Sequence, residues 1–79
     1  MKTIGELLQL STAFLEEKGV FQPRRQVEEL LAYSLGLQRM DLYLQHDKPV
    51  EEVELAEFRE RIRRKAKGEP LEYIVGEMD

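Results

Sequence analysis

Six of the twelve basic residues in this 79-residue chain, Arg59, Arg61, Arg63, Arg64, Lys65 and Lys67, fall within nine positions. They form the densest cluster of side chains able to do chemistry, and the chemistry is anion binding. On a helix, Arg61 and Arg64 share a face, as do Arg63 and Lys67. Two readings stay open. The run can be a solvated helix end whose cations match the helix dipole and form i,i+4 pairs such as Glu57–Arg61 and Glu60–Arg64. Equally, it can meet something acidic: a partner protein, ribosomal or transfer RNA, or a domain that follows. Nucleic-acid contact is disfavoured, because the net charge is −4 and no aromatic side chains interleave the run.

Other chemical groups are sparse. Glu28-Glu29 and Glu51-Glu52 are adjacent pairs, and neighbours on a helix point about 100° apart. Neither pair can act as a carboxylate dyad, and both read as solvated faces. His46, the only histidine, sits in a polar loop beside Asp47 and reads as exposed and idle. The Tyr33 and Tyr43 rings read as half-buried edges of a core. Arg24 and Arg25 open a helix against its dipole, which suggests a salt bridge to a neighbouring helix or a partner. There is no cysteine, no glycine-rich phosphate loop and no nucleophile elbow, so thiolate metal sites and the common nucleotide motifs are excluded. No apolar run approaches the ~20 residues of a membrane span, and Met1–Glu6 lacks the form of a signal peptide. These features favour a soluble cytoplasmic protein.

The elements that must position these groups are helical. Thr3-Ile4-Gly5-Glu6 has the form of a capping box. Ile4, Leu7, Leu8, Phe14 and Leu15, with Ser11, then make one stripe, and Leu10 lies off it, facing a second neighbour. Gly19 caps the end, and Val20 and Phe21 are expected to tuck beneath it. This predicts helix 3–18. Pro23 suits the first turn of a helix over 23–35, whose inward face is Val27, Leu30, Leu31, Ser34 and Leu35 and whose stop is Gly36. Residues 39–44 predict a one- to two-turn helix, with Leu42 and either Tyr43 or Leu44 inward. Val50 and Leu55 fit a hydrophobic staple around a cap at Glu51. A helix over 52–67 follows, with Leu55, Phe58, Ile62 and Ala66 inward. Gly68 ends it, Pro70 opens a short helix over 70–75, and Gly76 closes that. Nothing alternates with period two. The expected fold is all-α, a small helical bundle of four to five helices joined by short loops. Leu55, Phe58 and Ile62 already give the fourth helix a core face, so the bundle is expected to close without residues 68–76.

The tail carries a more specific signal. Thr3-Ile4 with Leu7-Leu8, Pro23-Arg24 leading into Val27-Glu28-Glu29-Leu30-Leu31, Leu35-Gly36-Leu37, and Arg63-Arg64 followed by Gly68-Glu69-Pro70-Leu71-x-Tyr73-Ile74-x-Gly76 resemble the N-terminal domain of the bacterial peptide chain release factor glutamine methyltransferase, the HemK/PrmC family. The resemblance covers essentially the whole chain. It implies a non-catalytic helical domain over 1–76 that helps grip the release factor, with 77–79 starting the connection to an absent methyltransferase domain. The family's enzyme moves a methyl group from S-adenosylmethionine to the side-chain amide nitrogen of the glutamine in the Gly-Gly-Gln motif of class I release factors. Its chemistry lies in a Rossmann-like domain bearing an Asn-Pro-Pro-Tyr motif, which does not occur in these residues. The resemblance therefore assigns this chain no catalytic, cofactor-binding or metal residue. The implied partners are the release factor and the methyltransferase domain. Candidates for partner or interdomain contact are Arg61, Arg63, Arg64, Lys67, Glu69, Pro70, Tyr73 and Ile74. Tyr73 and Ile74 are expected to pack partly on the bundle and partly on the methyltransferase domain. The alternative is an autonomous helical module that binds RNA or protein.

Overall fold

The structure, a computed structural model, describes residues 1–76. Five helices follow one another: α1 (Ile4–Glu17), α2 (Pro23–Leu35), α3 (Arg39–Leu44), α4 (Glu52–Ala66) and α5 (Leu71–Gly76). No strand occurs among the described residues; one isolated antiparallel bridge joins Thr3 to Pro49. The expected all-α bundle is the observed fold.

That bridge belongs to a backbone clamp on the start of α1. The first N–H groups of a helix lack internal acceptors. Here Ile4 N–H donates to Lys48 C=O at 3.0 Å and Gly5 N–H to His46 C=O at 2.9 Å. Glu6 N–H donates to Thr3 Oγ1 at 3.2 Å, and Thr3 N–H donates back to Glu6 Oε1 at 2.9 Å. The capping box holds the Glu6 carboxyl below the usual carboxylate range. A Cβ on residue 5 would lie 3.3 Å from the His46 carbonyl, so the loop's close approach depends on Gly5. His46 keeps an exposed ring paired with Asp47, while its backbone does structural duty.

The core contains Ile4, Leu7, Leu8 and Leu15 of α1, Val27, Leu30, Leu31 and Ala32 of α2, Leu42 of α3, Val50, Phe58 and Ile62, and Ile74. α2 is the central element, packed against all four others, whereas α5 rests on α2 and α4 and does not touch α1. Leu55 and Ala66 line the core's edge, as their positions on α4 predict.

Several expectations need correction. Ile74 is 0% exposed, so α5 completes the bundle and does not merely lead out of it. Ile74 is fully buried in the bundle core, on a helix that packs against α2 and α4, and leaves no surface for another domain; of the two, only Tyr73 points outward. Val20 takes the slot beneath α1, its N–H bonded to Leu15 C=O, while Phe21 is 80% exposed. The chain turns sharply there, because Gln22 adopts the left-handed conformation (φ 50°) before Pro23. Neither Tyr43 nor Leu44 is buried, since a six-residue helix has room for one inward side chain, Leu42.

Glu28 departs furthest from expectation. It is not on a solvated face; it is buried between α2 and α3. Arg39 donates to its Oε1 from Nη2 at 2.7 Å and from Nε at 3.1 Å. The Tyr43 hydroxyl donates to its Oε2, and Arg24 approaches the same oxygen at 3.4 Å. Burial pushes the Glu28 carboxyl up, but the bonds from Tyr43, Arg39 and Arg24 outweigh it and leave the group below its ordinary range. Arg24, opposed by the dipole of α2, is thus stabilised by Glu28 one turn on and by Tyr43 of α3.

Candidate functional site

The basic run ends α4 and flows directly into the turn that aims α5. Lys67 N–H donates to Arg63 C=O at 3.1 Å, Gly68 N–H to Lys65 C=O at 3.0 Å and Glu69 N–H to Arg64 C=O at 3.3 Å. Gly68 takes φ 97°, which only glycine adopts without strain. A side-chain clasp closes over this backbone turn. Arg64 donates to Glu69 Oε1 from Nε at 3.0 Å and from Nη2 at 2.8 Å, which holds the Glu69 carboxyl below its ordinary range. Lys65 Nζ reaches Glu69 C=O at 3.2 Å. Pro70 C=O then accepts from Tyr73 N–H at 3.1 Å, starting α5.

α4 divides its cations between two flanks. Arg61 turns toward α2, its guanidinium 5.0 Å from the Tyr33 ring centroid. It donates to Ser34 Oγ at 2.9 Å, and Ser34 in turn donates to Leu30 C=O at 2.8 Å. At 8% exposure, Arg61 offers almost no surface to a partner. Arg61 thus meets Ser34 where Glu57 was expected, Glu60 takes Arg63 at 2.9 Å, and Arg64 reaches forward to Glu69. Arg63 and Lys67 are exposed, as are Pro70 and Tyr73. Tyr73, Glu72, Arg64 and Gly76 line a shallow open pocket on the α5 flank.

The opposite flank of α4 faces α1 across a groove of about 260 Å³. Phe58 and Ile62 form its floor, Leu10 and Phe14 its α1 wall, and Arg59 and Arg63 part of its rim. Leu10, expected to face a second neighbour, is 54% exposed and meets open groove. The signal was present, since Leu7, Leu10 and Phe14 sit at i, i+3 and i+7 and draw a second apolar stripe beside the core stripe. Glu28 had a signal too, in its i,i+4 spacing from Arg24.

Among the described residues, no group of three His, Cys, Asp or Glu side chains could hold a metal ion, and no helix is long and apolar enough to cross a membrane. The described residues present charged and apolar surfaces and no convergent set of reactive groups.

Comparison with known proteins places these features. The family model described as the PrmC N-terminal domain matches residues 6–76, from the α1 capping box to the glycine that ends α5. The chain belongs to the PrmC N-terminal domain family. Among curated proteins similar to this PrmC N-terminal domain is the release factor glutamine methyltransferase of Chlorobaculum tepidum, 44% identical over 75 residues, 95% of this chain and 26% of the relative. Its namesake from Geobacter sulfurreducens is 46% identical over 74 residues, 94% of this chain and 26% of the relative. The Bacillus subtilis protein of the same name is 34% identical over 76 residues, covering 96% and 26%. The chain thus spans about a quarter of the length of these relatives. No solved structure matches it.

Proposed function

We propose that residues 1–76 form the release-factor-recognition domain of an S-adenosylmethionine-dependent protein-(glutamine-N5) methyltransferase acting on the Gly-Gly-Gln motif of peptide chain release factors. Residues 77–79 then begin the connection to the methyltransferase domain. The observation that carries this reading is the family match over 6–76, joined to relatives named release factor glutamine methyltransferase. The cofactor and the reacting groups belong to the other domain, and this chain holds neither. A cytoplasmic location follows from the substrate.

A glutamine on a large folded substrate must be brought to the reacting methyl group, and contacts remote from that atom lower the entropic cost of alignment. The helical domain supplies such contacts. The Gly68 turn, the Arg64–Glu69 clasp and Pro70 fix how α5 leaves α4, and so set the angle at which the two domains meet. Arg63, Lys67 and Tyr73 provide the surface beside that junction. Arg61 and Ile74 act from within, holding α4 and α5 to α2.

The test compares the full-length enzyme with a form lacking this domain, on an intact release factor and on a short Gly-Gly-Gln peptide. Deletion is expected to lower kcat/KM on the intact factor by about 100-fold while leaving peptide methylation and cofactor affinity unchanged. Equal losses on both substrates would contradict the reading, as would S-adenosylmethionine binding by residues 1–79 in calorimetry.

A further inference from the structure

We propose that the α1–α4 groove is where the release factor docks, through an amphipathic helix that presents aliphatic side chains flanked by carboxylates. The inference rests on the reading above that a release factor is the partner.

The groove is apolar and open. Leu10 is 54% exposed and Phe14 38%, although both sit directly beside the core residues Phe58 and Ile62. Leaving two large apolar side chains half in water next to a ready floor has no folding advantage, since burying each is worth about 1.5–3 kcal/mol. A partner that covers them gains that term. At about 260 Å³ the groove lies below the usual range of small-molecule and cofactor sites, roughly 300–1,000 Å³. It suits a few side chains delivered along a line. Leu7 to Phe14 spans about 10 Å, two helical turns, which matches anchors at i, i+3 or i+4, and i+7 on a docked helix.

The rim supplies the sign of the partner. Lys2 and Arg59 border the groove and carry no ion pair among the described residues. Arg63 borders it as well and is shared with Glu60 at 2.9 Å, both side chains being more than half exposed. An exposed pair of this kind exchanges partners at little cost. The nearby Glu6 carboxylate is occupied by Thr3 N–H. Three cations around an apolar slot, on a chain whose net charge is −4, mark a local site for carboxylates.

Position favours an external partner over the segment that follows in the chain. α5 packs on α2 and α4 and away from α1, so Gly76, its last residue, lies on the flank of α4 opposite the groove.

The experiment titrates the 79-residue chain and its variants with an intact class I release factor in calorimetry. Leu10→Asp, at an exposed position, should weaken binding about tenfold or more, and Leu10→Met should restore it. The double variant Arg59→Glu/Arg63→Glu should weaken binding about fivefold at low salt and flatten the salt dependence of the parent chain. Leu44→Ala, at an exposed position of α3 outside the groove, should stay within about twofold. If Leu10→Asp loses helicity in circular dichroism, the charge-reversed pair decides. Parent-like affinity in that pair and in a folded Leu10→Asp overturns the groove assignment. So does a Leu10-dependent dimer of the chain alone, or displacement of the release factor from the groove by a separately supplied methyltransferase domain. A parent chain that binds no release factor overturns the functional reading itself, and the groove assignment with it.

Discussion

The two flanks of α4 draw on one stretch of sequence and put it to opposite uses. On the α2–α5 side, Arg61 and Arg64 are consumed internally: one stacks on Tyr33 and bonds Ser34, the other clasps Glu69. On the α1 side, Arg59 and Arg63 stand at the edge of an apolar groove that the bundle leaves open. A helix advances about 100° per residue, so a run of consecutive cations cannot share one environment. Charge density along the sequence therefore says little about what each charge does. The neighbouring segment decides, and here α2 and the turn before α5 take up two cations while α1 offers none of its carboxylates to the other two.

The largest effect is expected inside the α5 flank. Ile74→Ala should cost about 3 kcal/mol in denaturant unfolding, because it opens a cavity where α5 meets α2 and α4. Tyr73→Ala, one residue away and exposed, should shift stability by no more than about 0.5 kcal/mol. Similar small losses for both would mean that α5 is an appendage. Next comes Glu28. Replacing it with Gln leaves Arg24 and Arg39 without their shared carboxylate, an expected loss of about 2 kcal/mol at pH 7 in the same assay. The folded carboxyl titrates below its ordinary value near 4.5, so the stabilisation is present above that pH and fades as pH falls through the folded value. The acid limb of the stability–pH curve should flatten in Glu28→Gln; an unchanged limb would mean that the network contributes nothing. The smallest expected difference separates the two flanks directly. Arg61→Ala should destabilise by about 1.5 kcal/mol through lost stacking and the lost hydrogen bond to Ser34, whereas Arg59→Ala should stay within about 0.5 kcal/mol. Equal effects would erase the distinction.

Much of the fold was legible because local chemistry fixes helix ends. Thr3 with Glu6, Pro23, and the glycines at 19, 36 and 68 bounded α1, α2 and the end of α4 to within about a residue, since caps and left-handed stops act through neighbours in sequence. Stripes told which faces turn inward for the same reason, except at Phe14, which stands on the α1 stripe yet is 38% exposed at the groove. Ile74 escaped because its burial depends on a turn folding a six-residue helix back onto α2, which no local pattern specifies. Glu28 escaped because its decisive partner, Arg39, lies on another helix eleven residues on. The candidate contact residues are neighbours in sequence, yet Arg61 and Ile74 are interior, and only packing separates them from Arg63, Lys67 and Tyr73. The groove was half legible: Leu10 stood off the core stripe, but that it faces open space and not a neighbour became apparent only once α4 was in place.

The central claim is that the α1 flank of α4 is the working face and the α2–α5 flank the structural one. The most direct measurement maps amide chemical shifts of the isotopically labelled chain as an intact release factor is added. Changes are expected on α1 from Leu7 to Phe14 and on α4 around Arg59 and Arg63, with the amides of Tyr33, Ser34 and Ile74 little moved. Changes centred on α2 and α5, with Leu10 and Arg59 silent, would contradict it.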